Sequence, residues 1–306
     1  MSLALLCPGQ GAQHPAMFGY VADVPAAAAV LDAAARVLGA DPLALAGEDR
    51  RYDNALAQPL VCAATLANWA ALAPQLPAPS LVLGYSIGEL AAHAVAGGLD
   101  AGSCLALAAQ RAQRMDAASR DGDGLIAVQG LRRREAEALC AQTGLYLAIV
   151  NGEDHVILGG HGDALLRGER EARAQRARAT RLPVAVASHT PLLAPAAQAF
   201  AAVLGDSPIA APRLPLLAGT DGHRIGGRAD AIAALSAQLA TTLDWAGTMR
   251  QAVERGARVF LELGPGCALA RIARELAPQC QARSVEEFGS LAAAAAWVRQ
   301  AQARLD

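Results

Sequence analysis

A serine with a glycine two residues away on each side, Gly84-Tyr85-Ser86-Ile87-Gly88, is the grouping in this chain best suited to covalent chemistry. The apolar run Leu81-Val82-Leu83 precedes it and Glu89-Leu90-Ala91-Ala92 follows, so a buried strand is expected to turn into a helix at the serine. That is the context of a nucleophile elbow, in which crowded backbones exclude a Cβ on either flank and the hydroxyl is pushed outward. The helix N-terminus adds N–H groups that favour a developing oxyanion. The pentapeptide alone is a weak signal, and its setting between strand and helix strengthens it. Acyl transfer through an acyl-serine is the chemistry such a site performs.

A serine at its ordinary pKa needs a base to take its proton. Of the six histidines, His189 in Ala187-Ser188-His189-Thr190-Pro191 stands where a strand over 182–187 is expected to end and a helix to start. A histidine there reaches a pocket at strand C-terminal ends, although a lone histidine also fits a purely structural role. His93 lies two helical turns beyond Ser86, too far along to pair with it. Arg111 interrupts an apolar stripe of Cys104, Leu107, Ala108, Ala112 and Met115 on one predicted helix. A guanidinium on a buried face needs an anion of bidentate geometry, either a core carboxylate or the carboxylate of a substrate. Gln10 sits in Pro8-Gly9-Gln10-Gly11-Ala12-Gln13 after a strand over 3–7. That loop either lines the same pocket, with Gln10 as a polar contact, or is an ordinary strand-end turn; it lacks the spacing of a dinucleotide fingerprint.

The positioning elements follow from pattern. Helices are expected over 25–38 and from Gln58-Pro59 to Leu72, each with proline at a tolerated first-turn position. A proline-rich connector over 73–79 leads into the Ser86 strand, and Gly97-Gly98-Leu99-Asp100 ends one helix and caps the next. A strand over 259–263, the turn Gly264-Pro265-Gly266 and a helix ending near Leu276 repeat the glycine-rich theme, with a terminal helix over 291–298. Strands separated by helices predict a mainly parallel α/β sheet. Between 122 and 188 the texture changes to strands over 125–128, 145–150, 155–158 and 182–187, with a helix over 132–142 and a charged one running through Arg178. This β-α-β-β-α-β order is the ferredoxin-like arrangement, inserted at 122–188 into a core made of 1–121 and 189–306. Arg167 to Arg181 alternates arginine with Glu and Ala, as a charged surface helix does; docking of a carrier protein is the alternative.

Composition narrows the class. The chain has 306 residues, 54% hydrophobic and 18% charged, with a net charge of -2, which suits a globular enzyme and gives no basic field for nucleic acid. It contains no lysine, which excludes a P-loop lysine, a Schiff base and a Ser-Lys dyad. Its six cysteines are scattered without paired spacing, and no histidine has metal-ligand spacing, so reduced thiols and no metal are expected. With no basic leader and no apolar run near transmembrane length, a cytoplasmic location is expected.

Taken in order, Pro8-Gly9-Gln10-Gly11-Ala12-Gln13, Gln58-Pro59, Gly84-Tyr85-Ser86-Ile87-Gly88-Glu89, Arg111, Ser188-His189 and Gly264-Pro265-Gly266 resemble malonyl-CoA:acyl-carrier-protein transacylases over essentially the whole chain. The resemblance implies an α/β-hydrolase-like parallel-sheet core with the inserted ferredoxin-like (βαββαβ) subdomain. It makes Ser86 the nucleophile, His189 its general base, the N–H groups of Gln10 and Ile87 the oxyanion hole, and Arg111 the clamp for the malonyl carboxylate. It gives the Gln238 carbonyl the task of orienting His189 and puts Asn151 in the pocket, although Glu153-Asp154 departs from the usual local pattern. It implies malonyl-CoA and a carrier protein with a phosphopantetheine-type thiol as substrates, and no bound cofactor. Tyr85 stands where the family usually has histidine, and a phenol is neutral near pH 7. With Cys7-Pro8-Gly9-Gln10-Gly11-Ala12-Gln13-His14, it resembles the malonate decarboxylase branch more than the transacylase of fatty-acid synthesis, which stays as the alternative. There the epsilon subunit loads malonyl onto a carrier subunit with a dephospho-CoA-derived group, and the other decarboxylase subunits become partners. Two rivals remain: an esterase or thioesterase with an acid such as Asp154 or Asp163 beside His189, and a non-catalytic docking subunit.

Overall fold

The computed structural model describes residues 3–304. Strand β1 (Leu3–Cys7) is followed by helices α1 (Pro25–Leu38), α2 (Pro42–Gly47) and α3 (Asn54–Leu72), then β2 (Leu81–Gly84), α4 (Ile87–Val95) and α5 (Ala101–Ala118). The middle of the chain forms β3 (Gly124–Gln129), α6 (Arg133–Thr143), β4 (Tyr146–Val150), β5 (His155–Gly160), α7 (Gly162–Ala174) and β6 (Arg178–Arg181). It continues with α8 (Ala194–Gly205), β7 (Leu216–Leu217), α9 (Arg228–Ala237) and α10 (Trp245–Glu254). The chain closes with β8 (Val259–Glu262), α11 (Ala268–Leu276), β9 (Gln281–Ser284) and α12 (Leu291–Ala303).

Five strands make a parallel sheet in the order β7-β2-β1-β8-β9. β1, β2 and β8 are buried at every residue, which is why they read as unbroken apolar runs rather than alternating ones. Because β1 sits between β2 and β8, the three glycine-rich turns picked out in the sequence leave the sheet side by side. The turns are Pro8 to Gln13, Gly84 to Gly88 and Gly264 to Gly266, all at the carboxyl ends of their strands, where α/β sheets place their sites. The second sheet, order β4-β5-β3-β6, is antiparallel throughout, and counted within its own four strands the order is the ferredoxin-like 2-3-1-4. It has a hydrophobic core of its own around Ile126, Leu139, Leu158 and Leu165.

The small sheet is tied to the large one through backbone. Val150 N donates to Leu243 O (2.9 Å), Leu243 N to Ala148 O (3.0 Å) and Thr242 Oγ1 to Leu147 O (2.6 Å). Segment 242–244 therefore covers the outer edge of β4, and the cleft between the two sheets is fixed on that side.

Several expectations are corrected. The charged helix stops at Ala174, because Arg176 takes a left-handed φ of 64°, and 178–181 forms the edge strand β6. The strand expected over 182–187 does not form: Pro183 lacks a ladder donor, and the stretch passes as a loop whose burial still alternates. His189 therefore lies in a loop, not at a strand end. α3 begins at Asn54, so Pro59 falls inside it rather than in its first turn. By composition, 54–75 is long and apolar enough to cross a membrane, contrary to the sequence reading; 78% of its most apolar window is buried in the fold, so its apolarity serves the core. β7 and β9 were not legible, being two residues long and polar (Gln281-Ala282-Arg283-Ser284) respectively.

The elbow is a close-packed crossing. A Cβ on Gly88 would lie 2.1 Å from the Cys7 carbonyl oxygen, and one on Gly84 2.2 Å from the Glu89 Cα. Neither neighbour can yield, because both are backbone. Gly88→Ala is expected to lower stability by about 3 kcal/mol, read from denaturant unfolding.

Candidate active site

Ser86 is the residue on which β2 stops and α4 starts, with φ 56° and ψ -122°, a conformation that costs a non-glycine residue about 1–3 kcal/mol and persists only where the surroundings enforce it. The crowding at Gly84 and Gly88 is that enforcement. Ser86 Oγ lies 2.8 Å from His189 Nε2, and His189 Nδ1 lies 2.6 Å from the carbonyl oxygen of Gln238. A carbonyl can only accept, so Nδ1 carries the imidazole proton and Nε2 offers its lone pair to the serine hydroxyl. His189 is fixed further by its own N–H, which donates to Leu239 O at 2.8 Å, and it also has a left-handed φ, of 62°. Among the described residues no carboxylate hydrogen-bonds the imidazole, so Asp154 and Asp163 do not supply the acid that a triad hydrolase needs.

Arg111 is 1% exposed and has no carboxylate within salt-bridge distance among the described residues. Its Nη1 donates to Gln58 Oε1 (2.7 Å) and contacts Met115 Sδ (3.2 Å), Nη2 donates to Gln238 Oε1 (3.3 Å), and Nε has no partner. No core carboxylate pairs directly with Arg111: its hydrogen-bond partners are neutral, and the buried Glu89 acts on it only through space. Burial lowers the Arg111 pKa to about 10, which leaves it charged at neutral pH. Burial, and then the charge of Arg111, push His189 down to about 3, against the opposing pull of the Gln238 carbonyl. His189 is thus a neutral imidazole with a free lone pair at any ordinary pH.

A cleft of about 610 Å³ between the two sheets brings these groups together. Gln10, Tyr85, Ser86, Arg111, Asn151 and His189 all line it. Gln10 Oε1 is buried without a partner, and Ile87, the first residue of α4, has an N–H with no intrahelical acceptor. Tyr85 packs edge-on against Trp245, with centroids 5.3 Å apart. Burial raises its pKa, the Asn151 side chain opposing, so the phenol stays neutral. The inserted sheet and α11 supply the outer walls, including His155, Arg178 and Arg271, none of which the sequence singled out for the pocket. Gln58, a motif residue with no role assigned from sequence, proves to be the closest partner of Arg111. His14 is elsewhere, paired with Glu286 at 3.0 Å, and His93 is buried on α4 with both ring nitrogens unpartnered. No group of three or more His, Cys, Asp or Glu able to hold a metal occurs among the described residues.

Residues 4–302 match the acyl transferase domain model. The chain belongs to the acyl transferase family. It is 32% identical over 296 residues to the malonyl CoA-acyl carrier protein transacylase of Mycobacterium bovis, covering 94% of this chain and 98% of that one. The solved malonyl CoA-acyl carrier protein transacylase of Coxiella burnetii superposes with a TM-score of 0.92 at 28% identity, over 98% of both chains. A malonyl-transacylase solved in complex with a type II polyketide synthase acyl-carrier protein superposes at 0.90 with 28% identity, over 96% of this chain and 99% of that one. As a member of this family the chain is an acyltransferase with a mixed α/β fold.

The electrostatics set a pH signature. With the His189 pKa far below 6.5, modification of Ser86 by a neutral serine reagent should keep its rate well into acid, with no loss near pH 6 to 7. In Arg111→Ala the charge that opposes imidazolium is gone, so the acid limb should move up in pH. Rates of labelling against pH for the two proteins check both the position and the sign.

Proposed function

We propose that this acyltransferase moves malonyl from malonyl-CoA to the thiol of an acyl carrier protein, through a malonyl-Ser86 intermediate. The observation that carries the reading is the buried Arg111 guanidinium, held in the Ser86–His189 cleft by neutral partners, the carboxamide oxygens of Gln58 and Gln238 and the Met115 sulfur. A serine–histidine pair in a cleft whose inner wall carries a buried guanidinium with no directly paired carboxylate fits an acyl group that ends in a carboxylate. An acetyl group would leave the buried charge without an anion.

The chemistry follows from the hydrogen bonds. His189 Nε2 takes the Ser86 proton as Oγ attacks the thioester carbonyl, and the oxyanion is held by the N–H groups of Gln10 and Ile87. The C–S bond breaks, the imidazolium returns its proton to the CoA sulfur, and malonyl stays on Ser86. The carrier thiol then gives its proton to His189 and attacks the ester, and Ser86 is reprotonated as its C–O bond breaks. Gln238 holds the ring through its carbonyl in both halves, so no acidic third member is needed. The malonyl carboxylate on Arg111 also cancels the charge that depresses His189, so the base gains strength when the correct substrate is bound.

Tyr85 and the Cys7 to His14 stretch favour the malonate decarboxylase branch, with a carrier bearing the dephospho-CoA-derived group as acceptor and the other decarboxylase subunits as partners. The second reading is the fatty-acid-synthesis transacylase, and the names of the relatives support an acyl carrier protein as acceptor without singling out one pathway. Under either, 1–121 with 189–306 forms the catalytic unit, 122–188 is the inserted wall of the cleft, no cofactor is bound, and the enzyme works in the cytoplasm.

Brief exposure to malonyl-CoA should add one malonyl group to Ser86 in intact-mass spectra and none to Ser86→Ala. Dominant hydrolysis with a carrier thiol present would overturn the transferase reading. Arg111→Ala should lower kcat/KM for malonyl-CoA by about 100-fold and abolish the preference over acetyl-CoA. Offering both carrier types to the malonylated enzyme and comparing transfer rates decides the branch.

A further inference from the structure

Behind the reactive pair lies a carboxylate with no role in the scheme above. Glu89, in the first turn of α4, is 0% exposed. Its Oε2 accepts from Gly219 N (3.1 Å) and from Gln238 Nε2 (3.3 Å), while Oε1 has no partner. Gly219 is fitted to it, since a Cβ there would come within 3.0 Å of Oε2. Gln238 Nε2 also donates to Ser86 O (3.3 Å), its Oε1 accepts from Arg111 Nη2 (3.3 Å), and its backbone carbonyl accepts from His189 (2.6 Å). The orientation of this carboxamide is fixed from both ends: a guanidinium only donates and a backbone oxygen only accepts. One residue thus touches nucleophile, base and clamp, and a buried acid grips it from behind.

We propose that Glu89 is a positioning residue: acting through the Gln238 carboxamide, it holds the carbonyl that orients His189 and the oxygen that holds Arg111 in one frame, and it is the resident counter-charge of Arg111 until a substrate carboxylate takes that place. The proposal rests on the roles given above to Ser86, His189 and Arg111. When an acyl carboxylate reaches Arg111, it neutralises the charge that favours ionised Glu89 through space, and Glu89 takes up a proton. Burial already pushes its pKa up to about 7, opposed by the Gly219 hydrogen bond, Arg111 and His223, and reinforced by Asp221. These groups face it from α5 and from the loop after β7; His93 is the titratable group on its own helix and His189 lies beyond Gln238. Because the bound state favours protonated Glu89, KM for malonyl-CoA should rise as pH rises through this range.

Full-length Glu89→Gln and Glu89→Ala separate charge from hydrogen bonding. Two readouts are used: the rate at which phenylmethylsulfonyl fluoride, a neutral reagent, modifies Ser86, and KM and kcat for malonyl loading between about pH 6 and 8.5. Glu89→Ala should slow sulfonylation about tenfold or more, and Glu89→Gln, whose amide oxygen can take both donors, should recover most of that loss. Glu89→Gln should also flatten the rise of KM with pH while leaving a measurable kcat. Wild-type sulfonylation by a folded Glu89→Ala, or an unchanged pH dependence of KM in Glu89→Gln, would overturn the proposal. Absence of malonyl loading in the wild type would instead refute the malonyl reading, and the sulfonylation rates would still decide the role of Glu89.

Discussion

A positive charge buried beside a neutral base is the constraint around which this protein is arranged. Arg111 cannot be solvated where it lies, and its direct partners are the carboxamide oxygens of Gln58 and Gln238. The charge depresses the basicity of His189, whose ring is held by a backbone oxygen rather than a carboxylate. An acidic third member would stabilise imidazolium whatever acyl group was present. A carbonyl leaves the basicity of the ring open to what sits on Arg111, and under the proposed function recognition of the acyl carboxylate and activation of Ser86 would draw on one electrostatic balance.

The fold meets this constraint by stacking three glycine-rich turns at the carboxyl ends of adjacent parallel strands. The β1 turn brings Gln10, the β2 turn forces Ser86 into its strained conformation, and the β8 turn leads into α11, which walls the cleft. The inserted antiparallel sheet closes the other side and contributes Asn151 and His155.

The parts of this arrangement that were legible in the sequence are those with a local signature. The elbow could be read because crowding demands glycine at fixed spacing around Ser86. Arg111 could be read because a charge at helical spacing breaks an apolar stripe, although periodicity could not say which anion it serves. The inserted sheet was recovered from its order of elements, but its last strand was displaced to 178–181, because an arginine-rich stretch carries a helical composition and only the left-handed turn at Arg176 stops it. Glu89 and the Gln238 side chain left no signal: their roles arise from contacts spanning 149 and 127 residues of chain, and a polar residue in a helix or at its end is unremarkable by pattern. β9 was hidden for a related reason, since a polar edge strand is defined by the neighbour it pairs with.

The short segment from Gln238 to Asp244 joins parts of the molecule that are far apart in sequence. At one end it holds His189 by backbone and Arg111 by side chain; at the other it is laced to β4 and caps α10, where Trp245 meets Tyr85. It bridges the inserted sheet and the Ser86–His189 pair. The small sheet is therefore joined, through the seven residues 238–244, to the carbonyl that holds the His189 ring as well as forming a wall of the cleft.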